Sequence, residues 1–501
     1  MTNGSASIAH PAPAISAAVS PANIAAKPPA TRTRLLLEGP IVPTLLRLAA
    51  PNVVVNVVLI AVTATVDAHF VGRIGGAEAL AGLSLVFPLI MLMQQMANSS
   101  MGGAIASAIA RAIGAGRHAD ASALVVHAVI VAAAMATMFM AVLLIGGPVI
   151  YGFMGGAGAM QAAALEYSNV LFGGALAYWL LSTFTSAVRG AGQATVLAVI
   201  YLAAEALHIA LVPALTFGIG PLPPLGISGA GIATVISFTA SSAVLAWYIA
   251  TGRTAIRFTL RGLRLDRRLF AEILRVGAPM SLQPIINNLT LALLTSFVGA
   301  LGAAQLAGFG VAVRLEYLLY PLAFGLGAGV LAMVGTNIGA GNLARAERIA
   351  WTAAALAAAV TGCIGIFGAT LPDMWASLFT RAPDVHALVA RYLFITGGAY
   401  AFLGLGLVLA SAFQAAGRPL WPLIGITSRA MVVAIGGWTA LQFTSGEVGG
   451  LGGLAMAAAA GLTVYGASLA AAFRAGLWRT ARPRLHRSPP RLEQNFQDLR
   501  R

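Results

Sequence analysis

A few ionisable side chains interrupt long apolar runs of this sequence. Asp67 lies near the end of one run, and Glu205 and His208 stand three residues apart in another. Residues three apart share one face of a helix. Ionisable groups inside a bilayer are costly, so they usually mark pathways for ions or substrates. Together with Thr234, these residues predict a site that takes up and releases a cation.

The chemistry of this group leaves two cations open. Burial favours the neutral form of a carboxylic acid, so Asp67 would bind and release a proton. Imidazole titrates near neutral pH, which suits His208 and Glu205 to a proton relay. Several oxygens around Asp67 would instead hold sodium, a hard cation. The structural alternatives are an ion pair of Asp67 with Arg73 and a buried polar pair of Glu205 with His208.

The second half of the chain offers a different charged group. Arg314 and Glu316 lie in one apolar run, and Arg429 lies in another. Residues two apart on a helix do not face each other, so Glu316 needs a partner elsewhere. We expect Arg429 to be that partner. All three residues are assigned to a structural ion-pair group, in which Arg314 binds a backbone carbonyl or faces a cleft. Substrate contact is the alternative.

Polar side chains at one-turn spacing form a candidate lining for a cleft. Amide and hydroxyl groups in membrane helices also serve as contacts between helices, which is the alternative interpretation. The residues predicted to line the cleft, including one tyrosine, are Asn52, Asn56, Gln94, Asn98, Tyr178, Gln283 and Asn287.

Composition decides which elements position these residues. Of 501 residues, 59% are apolar and only 9% are charged, against about 25% charged residues in soluble domains. A soluble globular fold is therefore excluded. The net charge of +15 would suggest nucleic acid in a soluble protein. Here the basic residues sit in tails, a linker and short gaps, where they fix membrane topology. The single Cys363 excludes an intramolecular disulfide and a cysteine-rich zinc site.

Apolar windows of about 20 residues mark transmembrane helices. Twelve such windows predict an all-α integral membrane protein. Lys and Arg concentrate in alternate gaps, which places both termini in the cytoplasm of a bacterial-type inner membrane. The predicted spans are 46–71, 79–106, 121–146, 163–188, 194–218, 227–250, 272–299, 304–334, 349–370, 387–412, 420–442 and 450–473.

A direct repeat of about 225 residues runs through the chain. Arg47-Leu-Ala-Ala-Pro51 returns as Arg275-Val-Gly-Ala-Pro279, and Ile113-Gly-Ala-Gly116 returns as Ile338-Gly-Ala-Gly341. Six spans per copy give a parallel repeat of two six-helix bundles, a transporter architecture. The predicted organisation is a disordered tail 1–42, an amino-terminal lobe 43–251, a basic linker 252–271, a carboxy-terminal lobe 272–473 and a basic tail 474–501.

The ordered motifs resemble the multidrug and toxic compound extrusion (MATE) family. They include Val66-Asp67-Ala-His-Phe70-Val-Gly-Arg73, Arg189-Gly-Ala-Gly192, Asn337-Ile-Gly-Ala-Gly341 and Gln414-Ala-Ala-Gly417. The resemblance implies an antiporter that exports drug-like, cationic and amphipathic compounds in exchange for protons or sodium. It also implies that Asp67 belongs to a cation site in the amino-terminal lobe.

The sequence departs from the family at other cation-site positions. His208 and Val212 stand where the DinF-like branch has Asn and Asp, which removes oxygen ligands and favours protons over sodium. Asn287 and Asn288 lie in the stretch where the NorM-like branch has a glutamate. We therefore expect a coupling site in the amino-terminal lobe, closer to the DinF-like branch.

The resulting expectation is a secondary antiporter and not an enzyme. It would need no cofactor or metal beyond the transported proton or sodium ion. Its partners would be a small-molecule substrate and the lipid bilayer, with no nucleic acid, and it would act as a monomer. The alternatives are a flippase of lipid-linked precursors from the same superfamily and a passive facilitator or channel.

Overall fold

The computed structural model describes residues 31–58, 64–218, 223–256, 265–442 and 450–479. Within these ranges every regular element is a helix, as expected for apolar segments that must satisfy their own backbone hydrogen bonds. The amino half contains α1 (Thr31–Glu38), α2 (Ile41–Val58), α3 (Ala64–Gln95), α4 (Gly102–Gly114), α5 (His118–Phe153), α6 (Gly158–Gly173), α7 (Ala175–Gly190), α8 (Ala194–Phe217) and α9 (Gly226–Ala250).

The carboxy half begins with α10 and repeats the same plan. It contains α10 (Arg267–Gly299), α11 (Ala303–Gly339), α12 (Leu343–Thr370), α13 (Pro372–Ala376), α14 (Pro383–Thr396), α15 (Tyr400–Ala415), α16 (Leu420–Gln442) and α17 (Leu451–Arg474). The predicted all-α membrane fold is confirmed, because each of the twelve predicted spans coincides with one or two of these helices.

Ten helical stretches of the described chain are long and apolar enough to cross a membrane, and the bent pair α6–α7 adds an eleventh. The first predicted span begins with the shorter apolar helix Ile41–Val54. Its residues 59–63 lie outside the described residues. Gly76 separates this span from the next, because its φ of +59° breaks the helix inside α3. Glycine adopts this conformation without steric cost.

Several predicted boundaries were wrong. The tail predicted as disordered is helical from Thr31, and α10 begins at Arg267, inside the predicted linker. The fourth predicted span is two helices that meet at Gly174 with a bend of 48°. Residues 257–264 of the predicted basic linker lie outside the described residues.

The halves cross where α4 meets α11. A Cβ atom at Gly114 would overlap the backbone carbonyl of Thr336, and one at Gly339 would overlap the backbone carbonyl of Arg111. Gly114 and Gly339 are 225 residues apart, as are Arg111 and Thr336. The crossing is therefore symmetric under the repeat, and glycine is required on both sides because the two backbones touch.

Arginines cluster at the end of the bundle where α4 and α11 finish, which we call the basic end. Arg111 Nη1 donates to the Ala415 carbonyl at 2.8 Å, and its Nη2 lies 3.4 Å from Glu272 Oε1. Arg479 binds Glu347 at 2.8 Å. The Arg111 contacts join the amino half to the carboxy half, and the Arg479–Glu347 pair joins α12 to the segment that follows α17. Together with the glycine crossing, they close the basic end.

Candidate functional site: a cavity between the two halves

A cavity with about 1260 Å³ of empty space, counting its opening, lies between the halves. Both halves contribute to its wall. The polar and aromatic residues that line it are Asn52, Gln95, Asn98, Ser99, Ser100, Arg189, Tyr201, Gln283, Asn287, Tyr320, Phe324, Ser411, Gln414, Arg429 and Tyr465.

A short π-helix, Met96–Met101, shapes the amino side of the cavity. Asn98 lies in this π-helix, and both polar atoms of its side-chain amide form hydrogen bonds. Its Nδ2 donates to the Tyr178 hydroxyl, and its Oδ1 accepts from Ser182 Oγ at 2.9 Å. Insertion of a π-turn is frequent at functional sites because it changes which side chains face inward. Here it helps to present an oriented amide to the cavity.

Gln414 ties the two halves together beside the cavity. Its Nε2 donates to the backbone carbonyls of Ser99 and Ser100, both at 3.0 Å. Ser100 in turn donates from Oγ to the Met280 carbonyl at 2.9 Å. These bonds cross from the carboxy half to the amino half and back. They fix the wall of the cavity nearest the basic end.

Arg189 lines the cavity from the last turn of α7. It is only partly exposed, and its buried Nε has no hydrogen-bond partner among the described residues. No carboxylate of the described chain forms an ion pair with it. Guanidinium groups remain protonated in proteins. Arg189 therefore presents an uncompensated positive charge to the cavity.

Arg429 lines the opposite wall and belongs to a polar network. Its Nη2 donates to Glu316 Oε1 at 3.2 Å, and its Nη1 donates to Asn287 Oδ1 at 3.2 Å. Tyr320 donates its hydroxyl to Glu316 Oε1 at 3.3 Å. The side chains of Arg429 and Glu316 are 12% and 9% exposed. Glu316 thus offsets the charge of Arg429 from behind the cavity wall.

The structure does not bring Arg314 into this network. Its guanidinium carbon lies 4.9 Å from the centre of the Phe379 ring, a cation–π contact, and the side chain is exposed. The assignment of Arg314 to the ion-pair group with Glu316 was wrong. Since α11 turns by about 100° per residue, Arg314 and Glu316 point to different sides of the helix.

The residues predicted to couple transport to an ion lie outside the cavity lining. Glu205 and His208 on α8 are 6% and 2% exposed. Thr234 on α9 is buried, and its hydroxyl donates to the Ala230 carbonyl at 3.1 Å, within its own helix. The side chain of Asp67 lies outside the described residues. Tyr201, one turn before Glu205 on the same face of α8, does reach the cavity.

The predicted cleft residues divide into four groups. Asn52, Asn98, Gln283 and Asn287 line the cavity, whereas Tyr178 supports Asn98 from behind. Gln94 is not among the lining residues, since its neighbour Gln95 takes that place. The side chain of Asn56 lies outside the described residues.

Sequence reasoning missed Arg189, Gln414 and the four aromatic residues of the lining. A signal was present for the first two. Arg189-Gly-Ala-Gly192 and Gln414-Ala-Ala-Gly417 are repeat counterparts. In a parallel repeat around a central axis, counterparts on facing helices end at the same depth. Their shared position beside the axis was a reason to place both residues at the cavity.

Comparison with known proteins now decides the family. The MatE family model matches the chain twice, at residues 53–214 and 279–439. The chain belongs to the MATE family. This is a family of membrane transporters and not of enzymes, and it works without a cofactor. The two matches fall on the two halves described above. The chain is accordingly a multi-pass membrane transporter with a cavity between its halves.

Named relatives agree with this placement. A FAD transporter from Shewanella oneidensis is 25% identical over 398 residues, covering 78% of this chain and 85% of the relative. The probable multidrug resistance protein YoeA from Bacillus subtilis is 26% identical over 357 residues, covering 71% and 77%. A MATE transporter solved in an outward-facing conformation superposes with a TM-score of 0.80 at 24% identity, covering 90% of this chain and 99% of that one.

Proposed function

We propose that this MATE transporter is a secondary antiporter that exports small organic compounds through the central cavity in exchange for protons. One observation carries the proposal. A buried carboxylate and imidazole, Glu205 and His208, lie on the face of α8 that meets the cavity one turn away at Tyr201. A change in protonation on this face can therefore alter the packing beside the substrate. Export of drug-like compounds is supported by the multidrug resistance proteins among the relatives.

The coupling site is proposed to comprise Asp67, Glu205, His208 and Thr234. α8 packs against the helix that carries Asp67, since Phe70 lies edge-on to Phe217 with ring centres 6.0 Å apart. Among side chains, imidazole is the one whose ordinary pKa lies near neutral pH. Thr234 Oγ donates within its own helix, and His208 and Val212 on α8 offer no side-chain oxygen to sodium. These features favour protons.

The basic end is proposed to face the cytoplasm, because Lys and Arg accumulate on that side of a bacterial inner membrane. The contacts that close this end then hold the cytoplasmic gate shut. Protonation of the amino half from outside then loosens the crossing of α4 with α11, and the halves rock apart at the basic end. The proton leaves to the cytoplasm as substrate enters the cavity, and reclosure of the basic end carries the substrate outward.

The test is efflux from proteoliposomes that contain the purified protein as a single chain. An imposed proton gradient should drive export, whereas a sodium gradient should not. Asp67→Asn and Glu205→Gln should each reduce proton-driven export to background, because neither amide can carry the proton. Glu166→Gln, which removes an exposed carboxylate that accepts a hydrogen bond from Ser228 outside the cavity, should leave export unchanged.

Other results would replace the mechanism. Export that needs sodium and ignores the proton gradient would change the ion. Equilibration of substrate with no dependence on either ion would make the protein a passive facilitator. Full proton-driven export by both Asp67→Asn and Glu205→Gln would remove the proposed coupling site.

A further inference from the structure

The central cavity carries positive charge and no described negative charge. Arg189 and Arg429 line it, and no aspartate or glutamate of the described chain does so. We propose that the transported compound is an organic anion, with a carboxylate or phosphate group bound by Arg189 and an aromatic body held between the halves. The inference rests on the proposed transport function, and it replaces the expectation of a cationic substrate.

Arg189 is the main determinant. Its buried Nε has no hydrogen-bond partner in the described chain. An unpaired buried charge is costly, and a planar guanidinium matches the two oxygens of a carboxylate or phosphate. By contrast, the side-chain amide of its repeat counterpart Gln414 already donates to two backbone carbonyls. The same position is therefore used for a structural contact in the carboxy half and left open to the cavity in the amino half.

Arg429 adds a directed donor without adding much net charge. Glu316 offsets its charge, while its own buried Nε also lacks a partner among the described residues. The cavity is thus left with a net positive charge centred on Arg189. A cation placed there would meet repulsion in a medium of low dielectric constant, where Coulomb interactions are strong.

The rest of the lining suits an aromatic body. Tyr201 lies near the amino side, and Tyr320, Phe324 and Tyr465 line the carboxy side. Aromatic rings favour stacked or edge-on contacts with other rings. The amides of Asn98 and Gln283 add polar contacts at the wall. An anion with a flat ring system uses all these features, whereas a purely aliphatic anion does not.

The test compares two xanthene dyes of similar shape and opposite charge. Carboxyfluorescein is an anion, and tetramethylrhodamine methyl ester is a cation. Binding of each to the full-length protein in phosphatidylcholine nanodiscs is followed by fluorescence polarisation. We expect carboxyfluorescein to bind more tightly than the rhodamine. Tighter binding of the rhodamine would overturn the proposal.

Arg189→Gln is the decisive variant, because glutamine is the residue of the equivalent position in the carboxy half. It should weaken carboxyfluorescein binding about tenfold, the loss expected for one hydrogen bond to a charged group. Arg117→Gln removes the same charge at the exposed basic end and should bind as the wild type does. Unchanged affinity of Arg189→Gln would also overturn the proposal.

A second variant separates the effect of charge on dye binding from an effect on folding. Arg429→Gln combined with Glu316→Gln removes both members of the buried pair, so no charge is left alone. Its thermal unfolding in detergent shows whether it is folded. We expect a smaller loss of carboxyfluorescein affinity than in Arg189→Gln, since the pair it removes is nearly neutral. A larger loss would move the anion site from Arg189 to Arg429.

Competition identifies the source of the anion. Displacement of carboxyfluorescein by naphthyl phosphate, with no effect of phosphatidylglycerol in the nanodisc, indicates a soluble organic anion. Displacement only by phosphatidylglycerol indicates a lipid headgroup. Displacement by neither overturns the proposal.

Transport assays keep the two proposals apart. Proton-driven export of the rhodamine without binding of carboxyfluorescein would leave the antiporter standing and remove the anion site. Binding of carboxyfluorescein that is lost in Arg189→Gln, without transport under any gradient, would keep the anion site and remove the antiporter.

Discussion

The two halves share a helix plan but hold their charges differently. In the carboxy half, Glu316 pairs with Arg429, so each buried charge has a partner of opposite sign. In the amino half, Glu205 and His208 are buried away from the cavity, and Arg189 faces the cavity with no described carboxylate. The carboxy half thus keeps its buried charges in a structural pair, while the amino half keeps groups that can change state or bind a ligand.

This difference shows what a repeat conserves. Backbone contacts at the crossing are symmetric, since Gly114 and Gly339 each touch the other half's carbonyl. Side chains at equivalent positions are free to diverge, as Arg189 and Gln414 do. Packing that involves the backbone tolerates no added atoms, whereas a side chain facing a cavity is constrained only by solvation and charge.

The largest effect should come from breaking the ion pair of the carboxy half. Glu316→Gln leaves the Arg429 guanidinium without a carboxylate in a buried site, so the free energy of unfolding should fall by about 3–5 kcal/mol. Glu347→Gln removes the carboxylate of an exposed pair and should change it by about 0–1 kcal/mol. Thermal and chemical unfolding in detergent measure both. Equal effects of the two variants would mean that Glu316 contributes no more than a surface charge.

The glycine crossing tests the symmetry of the halves. Gly114→Ala and Gly339→Ala each force a Cβ against a carbonyl of the other half, so each should cost about 1–3 kcal/mol of stability. Gly310→Ala is the control, because a Cβ there meets no atom within 4 Å, and alanine favours the helix. The measurement is the unfolding temperature. A large loss in only one of the two crossing variants would contradict a symmetric interface.

Gln414→Ala should weaken the closed basic end. It removes two hydrogen bonds between the halves, worth about 1–2 kcal/mol together. The closed state should therefore open more often, which a cysteine label can detect. In a Cys363→Ala background, Ser107→Cys introduces a buried thiol beside the crossing, and its reaction rate with maleimide should rise. Gln161→Ala, which removes a hydrogen bond within the amino half, should leave that rate unchanged.

The smallest effect concerns the support of Asn98. Tyr178→Phe removes the hydroxyl that accepts from Asn98 Nδ2, at a cost of about 1 kcal/mol. Dye affinity should fall because the amide is less well oriented. Tyr248→Phe removes a hydroxyl that donates to Gln193 Oε1 at 2.9 Å, away from the cavity, and should lower stability without changing affinity. Loss of affinity in both variants would show that general loosening of the amino half is responsible.

Much of the fold was predictable because membrane helices can be recognised from the length and hydropathy of their apolar segments. The bend at Gly174 and the start of α10 at Arg267 were not predictable in this way. The mean hydropathy of an apolar segment does not indicate whether the helix bends within it. A helix also continues into water beyond its apolar part when capping supports it. Asp266 caps α10 in this way by accepting from the Arg268 backbone N–H.

The cavity was less predictable than the helices. One-turn spacing favoured Gln94 beside Asn98, but Gln95, which also shares a face with Asn98, lines the cavity instead. Arg189 lies in a short gap between two predicted spans, and the basic residues of these gaps were assigned to topology. A sequence window records that an arginine lies near a helix end, but not how deeply a cavity reaches between two helices.

The sequence alone determined that this protein crosses a membrane many times, in two related halves, because these features depend on composition and repetition along the chain. The tertiary structure alone decided which scarce charges face a common space. Arg189 and Arg429 are 240 residues apart in the chain, yet they line one cavity. Their shared environment results from packing between the halves, and local periodicity contains no information about it.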